Sequence, residues 1–136
     1  MSFYYVAPKT SMEFILREGI KPPSEVRRLI ENGVLPPEVI GFSYATGSSH
    51  FPDYVSMNTK DGVMRATAMQ IFFDQHNESV DIVAYRIDSS LRRKEGFLDE
   101  AQTKMLNQEC LPGEVLFNGL IPPELIRSKF VIFEKI

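Results

Sequence analysis

Apolar positions along the chain fall into short blocks whose period changes from two to about 3.6 and back, with Pro and Gly between them. Phe3-Tyr4-Tyr5-Val6-Ala7, aromatic and β-branched and closed by Pro8, predicts a first strand. Met12, Phe14, Ile15 and Leu16 then recur near helical spacing; Thr10-Ser11 offers a cap before them and Gly19 a stop after them. Pro22-Pro23-Ser24 opens a second predicted helix that carries Val26, Leu29 and Ile30 inward, turns Arg27 and Arg28 to water, and closes at Asn32-Gly33. Residues 41–52 are rich in Gly, Ser, Thr, Tyr and His with little periodicity. This is a loop of the length that carries function in a compact domain.

Further on, residues 53–58 predict a short strand. Residues 61–73 predict a helix with Val63, Met64, Ala68, Ile71 and Phe72 towards the core. Residues 80–87 form the clearest central strand, and the polar stretch 88–109 holds a helical piece around 97–106. Strands return at 111–117 and at 130–136. Strands separated by helices at irregular intervals predict an α+β fold with a mixed or antiparallel sheet, not a doubly wound parallel one. Leu35-Pro36-Pro37-Glu38-Val39-Ile40 and Ile121-Pro122-Pro123-Glu124-Leu125-Ile126 read as two similar helix starts, with Pro in the first turn, rather than as a duplication.

A chain of 136 residues with 43% hydrophobic content suits one domain with its own core and no metal or disulfide staple. A formal charge of −3 gives no global basic field, so strong non-specific affinity for nucleic acid is not implied. The local run Arg92-Arg93-Lys94 reads first as a solvated turn, with an anionic acceptor such as nucleic acid as its functional counterpart. Cys110 stands alone and cannot form an internal disulfide, and no basic-then-apolar stretch opens the chain, so a cytoplasmic location is expected. No run approaches the roughly 18 apolar residues of a membrane span.

Common reaction motifs are missing. There is no glycine-rich phosphate loop, and neither His50 nor His76 stands in a metal-ligand spacing; both read as solvated loop residues. Cys110, beside Leu111, reads as a packing residue. What remains is Glu114 in the apolar run Gly113-Glu114-Val115-Leu116-Phe117. A carboxylate there is costly to desolvate, so it is exposed on a cleft wall or it has partners. The plainer reading is an edge-strand charge facing water.

Taken in order, several pieces carry a resemblance. Phe3-Tyr4-Tyr5-Val6-Ala7-Pro8 followed by Met12-Glu13-Phe14-Ile15-Leu16-Arg17-Glu18-Gly19-Ile20 resembles the strand-then-helix entry of ADP-ribosyltransferase-like domains. Asp53-Tyr54-Val55-Ser56-Met57-Asn58 looks like their second core strand. Gly113-Glu114-Val115-Leu116 with the Ile121–Ile126 segment looks like their glutamate strand and the helix after it. Within the superfamily the chain is most similar to the DarT-like DNA ADP-ribosyltransferase toxins and their relatives.

The resemblance implies a split pair of mixed or antiparallel sheets with flanking helices, and NAD as the substrate. Glu114 would be the catalytic carboxylate. Tyr5 and the Val6 backbone would hold the dinucleotide, Ser56 would orient the ribose, Lys60 would face the diphosphate, and the loop at 41–52 would close over them. The acceptor would be a macromolecule, with DNA the family's own, and an antitoxin would be the expected partner of a toxin. Two positions depart from the family pattern: Tyr5 stands where a histidine is usual, and Lys60 only approximates an arginine, offering a point charge without the bidentate fork. Pro112, two residues before Glu114, argues against an arginine acceptor. These departures keep a second reading open, a degenerate module of the same fold that binds a nucleotide or a protein without turnover. An RNA 2′-phosphotransferase-like enzyme is a third, less favoured because the chain lacks that branch's basic pocket.

Overall fold

Alternating burial along the first strand sets the plan of the molecule. The computed structural model describes residues 2–35, 51–73 and 81–134, without the side chains of 69–73. In it, β1 (Phe3–Pro8) buries Phe3, Tyr5 and Ala7 on one face, while Tyr4 and Val6 lie half-buried on the other. A 3-10 turn (Lys9–Ser11) leads into α1 (Met12–Glu18), followed by α2 (Pro23–Glu31) and β2 (Val55–Thr59). Another 3-10 turn (Lys60–Gly62) then starts α3 (Val63–Phe73), and β3 (Ile82–Ile87), β4 (Phe97–Leu98), α4 (Glu100–Leu106), β5 (Glu114–Phe117) and β6 (Ile126–Phe133) complete the chain.

The strands join in one six-stranded sheet ordered β4-β5-β2-β1-β3-β6, with every pairing antiparallel. The class is therefore α+β, and of the mixed or antiparallel sheet that the pattern predicts the antiparallel form is found; the described strands form a single sheet rather than two. A short seam lies between β1 and β2, which are in register only at Phe3/Thr59 and Tyr4/Asn58. By contrast, β1 follows β3 from Phe3 opposite Ile87 to Pro8 opposite Ile82, and β2 follows β5 from Val55 opposite Phe117 to Asn58 opposite Glu114. Past Tyr4 and Asn58 the ladder joining the two halves of the sheet ends.

The main core lies on the face that carries Phe3, Tyr5, Met57, Tyr85 and Val115, where α1 and α2 contribute Phe14, Ile15 and Val26. A backbone bridge between Ile20 and Ile121, with both N–H···O contacts at 2.9 Å, ties the end of α1 to the chain after β5. Gly19 makes that bridge possible: its φ is +86°, and a Cβ there would stand 2.3 Å from the Ile121 carbonyl oxygen. On the opposite face Ile82, Ala84 and Leu116 are buried outside this cluster, and α3, with Val63 and Thr67 turned inward, packs against β1, β2 and β3.

Several boundaries differ from the sequence expectation for identifiable reasons. Ser11 does not cap α1; its hydroxyl donates to the Pro8 carbonyl at 2.8 Å. Along α3, Met64 is 68% exposed and Ala68 is exposed, because Val63 and Thr67 set the inward phase, and Thr67 satisfies its hydroxyl on the Val63 carbonyl at 2.9 Å. The expected helical piece at 97–106 divides at Asp99, a capping residue that ends β4 and starts α4. The Pro122-Pro123-Glu124 segment makes one 3-10 turn (Pro123–Leu125) and not a helix, and β6 follows at once. The first Pro-Pro-Glu segment, the loop at 41–50 with His50, and His76 lie outside the described residues. No helix among the described residues is long and apolar enough to cross a membrane.

Candidate active site

Glu114 enters β5 from a tight turn whose type is readable in its residues. The Glu114 N–H donates to the Leu111 carbonyl at 3.1 Å, Pro112 fills the second position, and Gly113 the third at a φ of +83°. This is the pattern of a type II turn, in which Pro suits the second residue and only a residue tolerant of positive φ suits the third. Gly113 is required on two counts, since a Cβ there would also lie 2.9 Å from Thr59 Oγ1. Neighbouring elements hold the turn: the Thr59 N–H donates to the Gly113 carbonyl at 2.8 Å, and Arg65 on α3 donates through Nη2 to the Pro112 carbonyl.

The half-buried carboxylate that follows is fully engaged. Ser56 Oγ on β2 donates to Oε2 of Glu114, and the Leu111 N–H donates to Oε1 at 3.3 Å. Such bonds fix the group's direction and satisfy a polar side chain partly withdrawn from water. Register places Glu114 in a cross-strand row on one sheet face: opposite Asn58, which is opposite Tyr4, which is opposite Arg86, which is opposite Ser128. Arg86 donates through Nε to Ser128 Oγ at 3.2 Å, and the Tyr4 ring meets that of Phe130 edge-on, centroids 6.4 Å apart.

Of the residues singled out by sequence, Ser56 and Glu114 come together directly. Val6 lies on the same face, opposite Ala84 and just past the last β1–β2 pair. Tyr5 does not join them. Its side chain is 5% exposed within the core on the opposite face, 6.4 Å from the Tyr85 ring between centroids. A strand alternates with period two, so the residue of this pair that shares the Glu114 face is Tyr4. Lys60 is exposed in the 3-10 turn after β2, and no ion pair links it to Glu114 among the described residues. Sequence reasoning missed Asn58, which pairing register alone brings beside Glu114, and Arg65, which has no local signature within α3.

In the basic run, Arg92 places its guanidinium 5.1 Å from the Phe3 ring centroid and 5.9 Å from that of Phe97, while Arg93 and Lys94 are exposed. Cys110 is half-buried. Among the described residues no group of three or more His, Cys, Asp or Glu side chains could hold a metal ion. Compared with family models, with curated proteins and with solved structures, the chain has no match.

Proposed function

We propose that this chain binds NAD and transfers its ADP-ribose to a macromolecular acceptor, DNA by its resemblance to the DarT-like transferases, with Glu114 as the catalytic carboxylate. The observation that carries the reading is the pairing of Ser56 with Glu114: a hydroxyl on the second strand and a carboxylate on the glutamate strand meet on one sheet face, half-buried and oriented.

The chemistry asks little more. As the bond between the ribose C1′ and nicotinamide breaks, the electron pair leaves with nicotinamide and positive charge develops on the sugar. A fixed carboxylate beside it stabilises that charge, as in glycoside cleavage. The acceptor's nucleophile then bonds to C1′ and its proton passes to Glu114 or to solvent. Tyr4 and the Val6 backbone take the dinucleotide-holding role on β1 in this reading, and Lys60 faces the diphosphate from the turn after β2.

Purified protein should release nicotinamide from NAD, and Glu114→Gln should lower that rate by about a hundredfold or more while the melting temperature stays close to wild type. Unchanged turnover in the variant would remove Glu114 from the mechanism. A degenerate binding module is favoured by one observation, the commitment of the Tyr5 side chain to the core. Calorimetry separates the two: NAD binding without turnover selects the module, and no binding rejects both.

A further inference from the structure

We infer that Arg65 is a positioning residue that locks the 111–114 turn in its type II form and thereby aims the Glu114 carboxylate. The inference rests on the reading of Glu114 as the reacting group. Types I and II of a β-turn share their ends and differ by a flip of the central peptide, which moves the third residue's φ from about −90° to about +80°. Pro112 at the second position accepts either form, and Gly113 at the third does too. Residue chemistry therefore leaves the flip open, and what the Pro112 carbonyl meets decides it.

It meets Arg65. The Nη2 donor on α3 reaches that carbonyl, and the Arg65 Nε is buried with no partner among the described residues, so the Pro112 bond is the guanidinium's anchor. A flip would swing the carbonyl away and exchange a charge-assisted hydrogen bond for one to water. A turn released from Arg65 is free to open as well as to flip, and opening reaches the carboxylate because the Leu111 N–H that holds Oε1 and the Leu111 carbonyl that accepts from the Glu114 N–H both belong to it. Thr59 fixes the Gly113 carbonyl but leaves the central peptide free to rotate. α3 thus sets the direction of a group on β5 through the turn that precedes it.

The test is amide hydrogen exchange by NMR on wild type, Arg65→Met and Arg65→Lys, read at Leu111 and Glu114 with Tyr5 and Tyr85 as internal controls. In Arg65→Met the Leu111 and Glu114 amides should exchange about tenfold faster or more while the controls hold. Arg65→Lys, whose ammonium still donates, should recover most of the protection. In the NAD assay Arg65→Met should lower kcat by about ten- to a hundredfold, by analogy with the loss of one charge-assisted bond, with KM within about twofold. If the Met variant does not fold, Arg65→Gln, polar but too short to span to Pro112, carries the same expectation. Unchanged exchange at Leu111 and Glu114 in a folded variant overturns the lock. A wild-type chain that consumes no NAD defeats the transferase reading but leaves the exchange comparison to decide the lock by itself.

Discussion

Two adjacent tyrosines show how far a single residue can be read from sequence. Tyr4 and Tyr5 have the same strand propensity and the same chemistry, and only the phase of β1 against the core separates them. That phase depends on Phe3 and Ala7 packing beneath α1 and α2, a tertiary fact with no local trace. Glu114 was legible because a carboxylate among Val115, Leu116 and Phe117 demands partners, whereas Ser56 as its donor needed the β2–β5 register. Tyr85 invites a test at this scale. Its phenol is fully buried, its hydroxyl has no partner among the described residues, and burial pushes its ionisation well above the ordinary tyrosine range. Tyr85→Phe should therefore keep or raise stability, by up to about 1 kcal/mol, since it removes a desolvated hydroxyl without breaking a bond. The pH dependence follows from the same burial. Above about pH 10 the unfolded chain loses the phenolic proton and the folded one retains it, so the unfolded state binds fewer protons and stability falls as pH rises. Urea midpoints between pH 8 and 11 should show that part of the decline absent from the Phe variant, and an equal decline in both would remove Tyr85 as its source.

At the scale of elements, punctuation was more legible than extent. Gly19 and Asn32-Gly33 fall at real ends, because positive φ acts locally, whereas Pro112-Gly113, read as part of a strand from 111, makes the turn before β5. Where an element is held by a distant partner, the pattern misplaced it. β6 starts at Ile126 and not near residue 130, because Asp88 at the end of β3 donates its N–H to the Leu125 carbonyl at 2.8 Å and pairs with Arg127 at 3.3 Å. The Arg127 guanidinium, with the Ser90 hydroxyl, holds the Asp88 carboxyl down to about 2. α4 is the opposite case, a seven-residue helix with exposed Met105 and Leu106 whose start rests on a local device. Asp99 accepts from the Gln102 N–H at 2.8 Å, and Gln102 Oε1 accepts from the Asp99 N–H at 3.0 Å. So short a helix has little else to define its first turn. Asp99→Ala should cost about 1 kcal/mol in chemical denaturation, and Asp99→Ser, which keeps an acceptor at the cap, should recover most of it. Equal loss in both variants would assign the effect to something other than the cap.

For the molecule as a whole, a sheet that is not doubly wound and parallel was foreseeable from irregular strand spacing, but the seam was not, because nothing in β1 or β2 alone announces where their register stops. The seam divides the sheet unequally. On one side β1 and β3 pair along their full lengths and β6 extends the ladder; on the other, β2 and β5 are short and β4 has two residues. Beyond Phe3/Thr59 and Tyr4/Asn58 the second half is held by side-chain packing in the shared core, by the Ile20–Ile121 bridge and by the Arg65 bond to the 111–114 turn. Native-state hydrogen exchange in low denaturant should therefore show the β4-β5-β2 half opening at a lower free energy than β1 and β3, as a cooperative unit smaller than the molecule. A ligand seated at the seam binds the closed arrangement alone. At about a hundred times its dissociation constant it should raise the opening energy of the weaker half by about 2.7 kcal/mol. Added NAD thus becomes a structural probe that does not depend on turnover: protection gained in β2 and β5 places the dinucleotide beside Ser56 and Glu114, and protection gained only elsewhere excludes the seam as its seat.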